Sequence, residues 1–420
     1  MLKVSDKSVG LERSQSSDRK IMLFDLVIDG HHAGYIYHLI RFWGEQELPG
    51  TLYVVVAPKF IQQHTDVVDL AAKYGNRVKL MPITVAEEAA LVPQSNYLQR
   101  KIHYLQQWRL CRSYAQSLSA THCLIMFFDT FAIPIAVDGK FPCSFSTIYF
   151  RPTFHYHKFE KYKPSGKERL QEWLDQLLLS LILRRKQLQI LFCLDPFALK
   201  DLERFNSAVK KVYLPDPVQT YNDSLISLEQ LKEKLGIDDS RKVFLFFGSI
   251  FERKGINQLL DAVALLSPDV SQKLCLLLVG EIDPGIEPKI RARINHITQS
   301  LPVQIITHNQ FIPEREIQTY FQVADVILAP YQKHIGMSGI LVRAAAAQKP
   351  VLSSDYGLMG EIARRYQLGI TLDSTIPAEI AQGLTQLLLE STEIGDRTKM
   401  KSFAQQNSAE NFASVIFQHI

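Results

Sequence analysis

The chain is poor in cysteine and has no cysteine motif. Its 420 residues include five cysteines, which are odd in number, far apart and free of any C-x-x-C pair. Disulfide-stabilised domains carry even sets of cysteines, and zinc sites need clustered thiolates or imidazoles. The sequence therefore predicts buried thiols in a reducing compartment, and it predicts no metal site.

Long apolar segments are also missing. A membrane-spanning helix needs roughly 20 consecutive apolar residues, and no stretch of the sequence approaches that length. The first 20 residues are polar and mixed in charge, which predicts a disordered tail and not a secretory signal. We therefore expect a cytoplasmic protein that does not cross a membrane, while peripheral contact with a membrane stays open.

A large net charge of either sign is lacking as well. Lys and Arg number 47 against 43 Asp and Glu, which leaves a formal charge of +4. Nucleic-acid binding usually requires a clustered basic face, so we expect no nucleic-acid partner. Anionic small molecules and a lipid surface stay open. With 46% hydrophobic and 21% charged residues the chain is predicted to be globular, and its length predicts two domains.

The first half of the chain alternates short apolar runs with segments of helical periodicity. The predicted strands are Ile21–Ile28, Leu52–Ala57, Val78–Pro82, Cys123–Phe128 and Gln189–Cys193, the last being the final strand of the first domain. The predicted helices are Tyr35–Trp43, Leu98–Ser119 and Leu170–Leu188. Such alternation is typical of a parallel sheet covered by helices.

The second half repeats this alternation. Its predicted strands are Lys242–Phe247, Leu274–Val279, Val303–Ile306, Val326–Ala329 and Val351–Ser353. The fold class predicted for the chain is therefore α/β, with two Rossmann-like doubly wound domains facing a cleft.

The two halves meet at a proline-containing segment, Leu214-Pro215-Asp216-Pro217, which has the composition of a linker. The predicted organisation is a disordered tail over 1–20, a first domain over 21–212, a linker over 213–224, a second domain over 225–395 and a C-terminal helix over 396–420.

Two loops of the second half have anion-binding chemistry. Residues 246–255 read Phe-Phe-Gly-Ser-Ile-Phe-Glu-Arg-Lys-Gly, a strand end, a glycine turn and two cations before a helix. Glycine lets the backbone approach a ligand closely, and cations beside a helix N-terminus suit a diphosphate. The small residues Gly336-Met337-Ser338-Gly339 precede a second helix and leave room for an anion. A solvated basic turn and an ordinary helix cap are the alternatives.

Six stretches of the second half follow one another in a recognisable order. They are Phe247-Gly248 through Lys254-Gly255, Leu278–Glu281, Phe311–Pro313, Ala324–Pro330, Ala344–Ala347 with Lys349–Val351, and Asp355–Gly357 with Gly360-Glu361. Together they resemble the nucleotide-binding half of the retaining glycosyltransferases of family 4, which have the GT-B fold. The resemblance covers residues 242–390 and is much fainter in the first half.

The resemblance implies a role for each matching residue. The resemblance places Lys254 at the position of the lysine that pairs with the donor phosphates. It places Gly248 at the position of the glycine that lets the loop close on those phosphates. The diphosphate is expected at the backbone of 336–339. The other residues that the resemblance places at the donor are Glu281, which lies in the second matching stretch, and Phe311 and Ile312 near the nucleobase.

The sequence also departs from the family. The arginine that usually follows the first glycine is replaced by Ser249, and Arg253 could supply a cation from another position. The family's two glutamates, eight positions apart, fall on Ile335 and Arg343. Arg343 cannot accept hydrogen bonds from a ribose but could contact phosphate. Donor recognition must therefore differ, or the site is catalytically degenerate.

The first half offers candidates at its predicted strand ends. The loop containing Gly30, His31 and His32 follows the first strand, and in GT-B proteins such a loop faces donor and acceptor. A histidine can serve as acid or base, or donate to a phosphate. Asp129 and Arg151 follow two further strands, where acceptor-side groups are expected. Surface histidines, a helix cap for Asp129 and a surface salt bridge for Arg151 are the alternatives.

Two helices suggest further contacts. Leu170–Leu188 combines an apolar face with Arg184-Arg185-Lys186, which suits either an anionic membrane or the core of its own domain. The C-terminal helix has apolar residues at helical spacing, and in GT-B folds such a helix crosses back onto the first domain.

The function predicted from these observations is transfer of a hexose from a nucleoside diphosphate sugar to the hydroxyl of a glycan or lipid acceptor. The resemblance implies retention at the anomeric carbon, no metal, no cofactor, and a place in polysaccharide or glycolipid biosynthesis. Two alternatives stay open. One is a degenerate GT-B protein that binds or scaffolds in sugar assembly, and the other is a different GT-B enzyme such as a sugar-nucleotide epimerase.

Overall fold

A computed structural model describes residues 19–28, 31–159, 161–219, 226–390 and 394–420. Most of the predicted tail and part of the predicted linker therefore lie outside the described residues. The described chain forms one parallel sheet of seven strands and one of six. The predicted fold class, two doubly wound α/β domains, is confirmed.

The seven-stranded sheet belongs to the first half, with the order β3-β2-β1-β4-β5-β6-β7. Its strands are β1 Lys20–Phe24, β2 Thr51–Val56, β3 Val78–Pro82, β4 His122–Ile125, β5 Ser144–Tyr149, β6 Leu188–Cys193 and β7 Lys210–Tyr213. Its helices are α1 His32–Glu45, α2 Pro58–Gln63, α3 Thr65–Lys73, α4 Val85–Ala89, α5 Tyr97–Ser117, α6 Phe128–Val137, α7 Gly166–Ile182 and α8 Leu199–Leu202.

The sequence prediction that β6 ends this domain is wrong. The strand β7 pairs with β6 at the edge of the sheet. Its sequence, Lys-Lys-Val-Tyr, has no buried residue. A short edge strand with two lysines lacks the apolar run by which the inner strands were recognised, and charges on an edge discourage pairing with other chains.

The six-stranded sheet belongs to the second half and has the order β10-β9-β8-β11-β12-β13. Its strands are β8 Lys242–Phe247, β9 Leu274–Val279, β10 Gln304–His308, β11 Val326–Ala329, β12 Val351–Ser354 and β13 Gly369–Leu372. The helices are α9 Leu228–Leu235, α10 Ile256–Ala264, α11 Pro268–Ser271, α12 Glu287–Ser300, α13 Glu314–Val323, α14 Gly339–Ala346, α15 Gly357–Arg365, α16 Pro377–Leu389, α17 Arg397–Gln406 and α18 Ala409–His419. Short 3-10 helices cover Gly75–Arg77, Thr153–Lys158 and Glu252–Lys254.

The strand order locates the ligand-binding edge of each domain. The inner strand β9 is buried along its whole length because helices cover both faces of the sheet. The order of strands reverses between β1 and β4 in one sheet and between β8 and β11 in the other. In open α/β sheets, ligands bind beyond the carboxyl ends of the strands at such a reversal. These ends carry Asp25 in the first domain and the loops after Phe247 and Ala329 in the second.

The C-terminal segment consists of two helices, not the single helix predicted for 396–420. The first, α17, packs on α14 of the second domain, and the second, α18, packs on α1 of the first. Phe412 and Ile416 are fully buried in the core of the first domain. The break lies at Asn407, whose Oδ1 accepts the backbone N–H of Asp216 at 3.0 Å. A buried asparagine therefore joins the crossing helix to the segment between the domains.

The two domains also touch through side chains at 161–162 and 355–356. The rings of Tyr162 and Tyr356 lie 5.6 Å apart, and Nζ of Lys161 lies 3.9 Å from Asp355.

Among the described residues, no helix is both long and apolar enough to span a bilayer.

Candidate functional site

The loop after β8 folds a lysine back over a glycine. Gly248 has a φ of 91°, and a Cβ at that position would lie 2.6 Å from Nζ of Lys254. Nζ donates a hydrogen bond to the carbonyl of Phe247 at 3.0 Å. The absent side chain and the left-handed backbone of Gly248 are thus both required for this lysine position.

Lys254 has no anionic partner in the described part of the chain. Its Nζ lies 5.8 Å from the ring centres of both Phe251 and Tyr331, and no carboxylate lies within salt-bridge distance. Burial, and then the charge of Arg253, lower the pKa of Lys254 to about 8. A half-buried cation held without a counter-ion at a strand reversal is suited to receive an anion.

The loop after β11 meets the first loop at Tyr331. The Oγ of Ser338, the residue before α14, donates to the hydroxyl of Tyr331 at 3.3 Å. Lys254 lies over the ring of the same tyrosine. The loops are packed tightly, because a Cβ on Gly255 would lie 2.0 Å from the carbonyl oxygen of Pro330. Lys254 and Ser338 therefore lie on one side of the domain.

A histidine that the sequence analysis did not select connects the two loops. Nη1 of Arg253 donates to Nδ1 of His334 at 2.6 Å. Because Nδ1 accepts, the ring proton is on Nε2, which then donates to the carbonyl of Met337 at 3.2 Å. Burial lowers the pKa of His334, which keeps the ring neutral. His334 follows a strand by five residues, and that position is the only sequence signal for it.

The remaining second-domain candidates occupy three different environments. Ser249 and Glu281 are exposed in adjacent turns, which join where the N–H of Ile250 donates to the carbonyl of Glu281 at 2.7 Å. Phe311 is 72% exposed, whereas Ile312 is buried in the core of the domain.

Three members of the small-residue segment lie at the loop after β11. Met337 packs its side chain on the core, Gly336 is buried, and Gly339 is the first residue of α14. Their backbone leads directly into the N-terminus of α14, where N–H groups have no partner within the helix.

Arg343 is separated from this loop by its own salt bridge. It lies on α14, and its guanidinium donates to Glu314 at the start of α13. One guanidinium nitrogen, Nη1, is buried with no hydrogen-bond partner. Arg343 does not line the cavity between the two domains.

A cavity of about 640 Å³ lies between the domains. It brings together four of the predicted residues, Asp129 and Arg151 from the first domain and Arg253 and Gly336 from the second. The approach is close, because a Cβ on Gly336 would lie 3.8 Å from Cγ of Arg151. Helix α7, which was not predicted to contribute site residues, supplies much of the first-domain wall.

Asp129 holds the backbone that carries Arg151. Its two carboxylate oxygens accept the N–H groups of Phe150 at 2.9 Å and Arg151 at 3.1 Å. Asp129 lies in the first turn of α6, and burial raises its pKa. With both oxygens engaged, the carboxylate is arranged to position Arg151 at the cavity.

His31 and His32 lie beside the cavity but do not line it. His32 Nδ1 lies 2.6 Å from Oδ2 of the buried Asp25, a residue that the sequence analysis missed. Asp25 directly follows β1, and that position was its available signal. Part of His31 is exposed, while its ring packs 5.4 Å from the ring of Phe150 in a tilted arrangement. Burial by its neighbours, and then His32, lower the pKa of His31 to about 4. Gly30 lies outside the described residues.

The second half matches a known family. Residues 228–407 match the sequence model described as "Glycosyl transferases group 1". We refer to these matching residues as the group 1 domain. Both loops that are predicted to bind an anion lie within this domain, and the match confirms the family resemblance proposed from the six stretches.

Curated relatives match half of the chain or less. Spore coat protein SA of Bacillus subtilis (strain 168) is 24% identical over 232 residues, which cover 50% of this chain and 60% of that protein. The lipopolysaccharide glucosyltransferase WaaG of Escherichia coli (strain K12) is 26% identical over 154 residues, covering 36% of this chain and 38% of that protein. The chain thus spans less than two thirds of the length of these relatives.

Solved structures match over both domains. Anabaena Alr3699/HepE in complex with UDP and glucose superposes with a TM-score of 0.61 at 13% sequence identity, covering 95% of this chain and 98% of that chain. At that identity the likeness concerns the fold alone. The fold is GT-B, as the group 1 domain implied.

Proposed function

We propose that the protein transfers a hexose from a nucleoside diphosphate sugar to an acceptor hydroxyl, with retention at the anomeric carbon and without a bound metal. The observation that carries this proposal is the placement of Lys254 and Ser338 on the same tyrosine, Tyr331, at the strand reversal of a group 1 domain. An unpaired cation there, next to an interdomain cavity, suits the diphosphate of such a donor.

The proposed chemistry places charge stabilisation in the second domain. As the bond between the anomeric carbon and the diphosphate breaks, the diphosphate takes the bonding electrons and gains negative charge. Lys254, the backbone N–H groups of 336–339 and the positive end of α14 would stabilise that charge. Arg253 is then a supporting cation, fixed by its bond to His334. In the same proposal, the missing side chain of Gly248 lets the donor approach the backbone closely.

The acceptor is assigned to the first-domain wall. Arg151 reaches the cavity because Asp129 holds its backbone, so we assign Asp129 a positioning role and Arg151 contact with the substrate. His31 and His32 lie at the neighbouring strand end and are assigned to the entrance. His31 is neutral at pH 7, so it serves as a hydrogen-bond donor or acceptor and not as a cation.

A degenerate binding module is the second candidate function. It is favoured by Arg343, which stands at a position where the family has a glutamate and which is paired with Glu314. Hydrolysis of the donor without acceptor separates the candidates, because a module that only binds leaves the donor intact.

A lipid surface is the proposed partner of α7. Five large apolar side chains on one face of this helix are at least 44% exposed, namely Leu170, Trp173, Leu174, Leu177 and Leu181. The three cations at 184–186 follow the end of the helix. An exposed apolar face with adjoining cations suits the surface of an anionic membrane. We propose a cytoplasmic protein that touches a membrane peripherally and glycosylates a lipid or glycan there.

The division of the chain into 21–212, 213–224 and 225–395 is likewise proposed as its domain organisation. The six-stranded sheet falls within the third of these ranges, and the seven-stranded sheet exceeds the first by one residue at each end, from Lys20 to Tyr213.

A melting-temperature screen against UDP, GDP and ADP and their sugars tests the proposed function. A ligand at about 100 times its dissociation constant stabilises the protein by roughly 2.7 kcal/mol. We expect one nucleotide family to raise the melting temperature, and we expect Lys254→Ala to abolish the rise. Lys273→Ala, an exposed lysine of the same domain, is the matched control. The phosphate assignment is wrong if Lys254→Ala retains the full shift.

A further inference from the structure

Helix α7 presents a buried carboxylate to the cavity. Glu172 is 7% exposed and lines the cavity, and its Oε1 has no hydrogen-bond partner. An unsatisfied buried polar atom costs free energy, and the cost is larger for a charged group. A ligand that binds in the cavity can supply the hydrogen bond that this oxygen lacks.

The neighbours of Glu172 do not neutralise it. Its Oε2 lies 3.9 Å from Nδ1 of the half-exposed His157, and the side chain of Tyr162 lies beside it. The pKa of Glu172 is raised, first by burial and also by the charge of Glu168, while His157, Tyr162 and Arg169 act in the opposite direction. None of these neighbours makes a hydrogen bond to Oε1, so this oxygen stays available.

Three more polar side chains extend the same wall. Glu168 and Gln171 line the cavity within a helical turn of Glu172, and Asp175 lies one turn beyond it. Asp175 accepts a hydrogen bond from Thr153 at 2.8 Å. The wall is therefore rich in hydrogen-bond acceptors, with Lys101 and Arg151 near Asp175 and Lys333 near Glu168 as the nearest cations.

The opposite wall has the reverse character. It is formed by Arg253, Lys333, His334, Ile335 and Gly336 of the second domain. An anion that enters the cavity is attracted to this wall and repelled by α7. A neutral group with hydroxyl donors has no such conflict and can satisfy the free oxygen of Glu172.

We propose that Glu172 accepts a hydrogen bond from a hydroxyl group of an uncharged sugar acceptor, and that the acidic wall of α7 rejects phosphorylated acceptors. This proposal rests on the transferase function proposed above, because it specifies the acceptor class of the same cavity. Glu172 is a specificity-determining residue in this arrangement, and its partner is a polyhydroxylated ring.

Paired ligands test the proposal. The probes are methyl glucoside, galactoside and mannoside, each with its 6-phosphate, titrated into the protein with and without saturating UDP and followed by ligand-observed NMR. We expect at least one neutral glycoside to bind about tenfold more tightly than its phosphate. In Glu172→Gln, neutral binding should weaken about fivefold and the preference should shrink to about twofold.

Controls separate this role from a structural one. Glu172→Gln keeps the shape of the side chain and removes an unsatisfied charge, so its melting temperature should not fall. Asp66→Asn, an exposed carboxylate on α3, should leave all affinities unchanged. The proposal is overturned if phosphorylated glycosides bind the unmodified protein as tightly as neutral ones. Failure of every neutral glycoside to bind, or unchanged preference in Glu172→Gln, overturns it equally.

The same samples report separately on the transferase function. If UDP fails to raise the melting temperature while glycoside discrimination depends on Glu172, the donor site is wrongly assigned and the sugar site stands. If UDP binds through Lys254 but Glu172→Gln changes nothing, only the acceptor proposal is lost.

Discussion

The two walls of the cavity are built in different ways. The second-domain wall comes from two loops that follow β8 and β11 and meet at Tyr331. The first-domain wall is assembled from the start of α6, the segment after β5 and one face of α7. The two second-domain loops are short, local motifs that can be recognised directly in a sequence. The first-domain wall exists only after distant helices have packed together.

The walls also differ in charge. The group 1 domain contributes Arg253, Lys254 and Lys333 around its loops, and α7 contributes Glu168, Glu172 and Asp175. A diphosphate and an uncharged sugar would thus be sorted to opposite sides of one cavity before any specific contact forms.

The largest effect is expected from Gly248→Ala in the loop after β8. The added Cβ would contact Nζ of Lys254, and alanine resists the φ of 91°. We expect donor-dependent kcat/KM to fall by roughly 10²–10³-fold, as for loss of a group that stabilises developing charge. Steady-state kinetics of donor turnover measure this. Gly285→Ala, next to only a flexible carboxylate, should keep near-normal activity; equal rates in both variants would disprove the role of Gly248.

In the first domain, Asp25→Ala should mainly cost stability. It removes the partner of the buried His32 and the acceptor for the N–H of Val27. Losing one member of a buried, hydrogen-bonded pair costs about 3 kcal/mol. Urea unfolding, followed by the fluorescence of Trp43 and Trp108 in this domain, measures the change. A loss below about 1 kcal/mol would show that the pair is not coupled to folding.

Donor affinity should weaken at alkaline pH. The pKa of Lys254 is lowered to about 8, so the free protein loses this charge as the pH rises through that value. Above it, binding of a diphosphate requires uptake of a proton, and affinity for the selected nucleotide should fall about tenfold per pH unit. Calorimetric titrations between neutral and alkaline pH measure the slope. Lys254→Ala should bind weakly with no such slope, and a flat profile in the unmodified protein contradicts the assignment.

The smallest effect is expected on the outer face of α7. Leu174→Glu places a charge in the exposed apolar stripe without removing core packing, since Leu174 is 44% exposed. We expect about fivefold weaker binding to vesicles with anionic lipids, and unchanged nucleotide binding. Vesicle sedimentation measures this, with Leu265→Glu, an exposed leucine of the second domain, as control. Equal loss in both variants would assign the effect to charge alone.

Local patterns explain most of what the sequence predicted correctly. The inner strands were recognised because they are continuous apolar runs. The glycine and lysine of the first loop were selected because backbone geometry restricts such positions to few residue types, and their role in binding stays a prediction. The failures have physical causes too. Edge strand β7 has no buried residue, and the break at Asn407 depends on a hydrogen bond to Asp216, which is far away in the chain.

Periodicity, glycine and charge act over a few residues, so the two alternating α/β halves could be recognised from the sequence, as could the pair of second-half loops that we predict to bind an anion. Only the tertiary structure decided that Asp25 pairs with His32, that Arg343 pairs with Glu314, and that Glu172 faces the cavity. Those facts depend on distances between separate elements. Burial then determines whether each charge is satisfied or left available to a ligand.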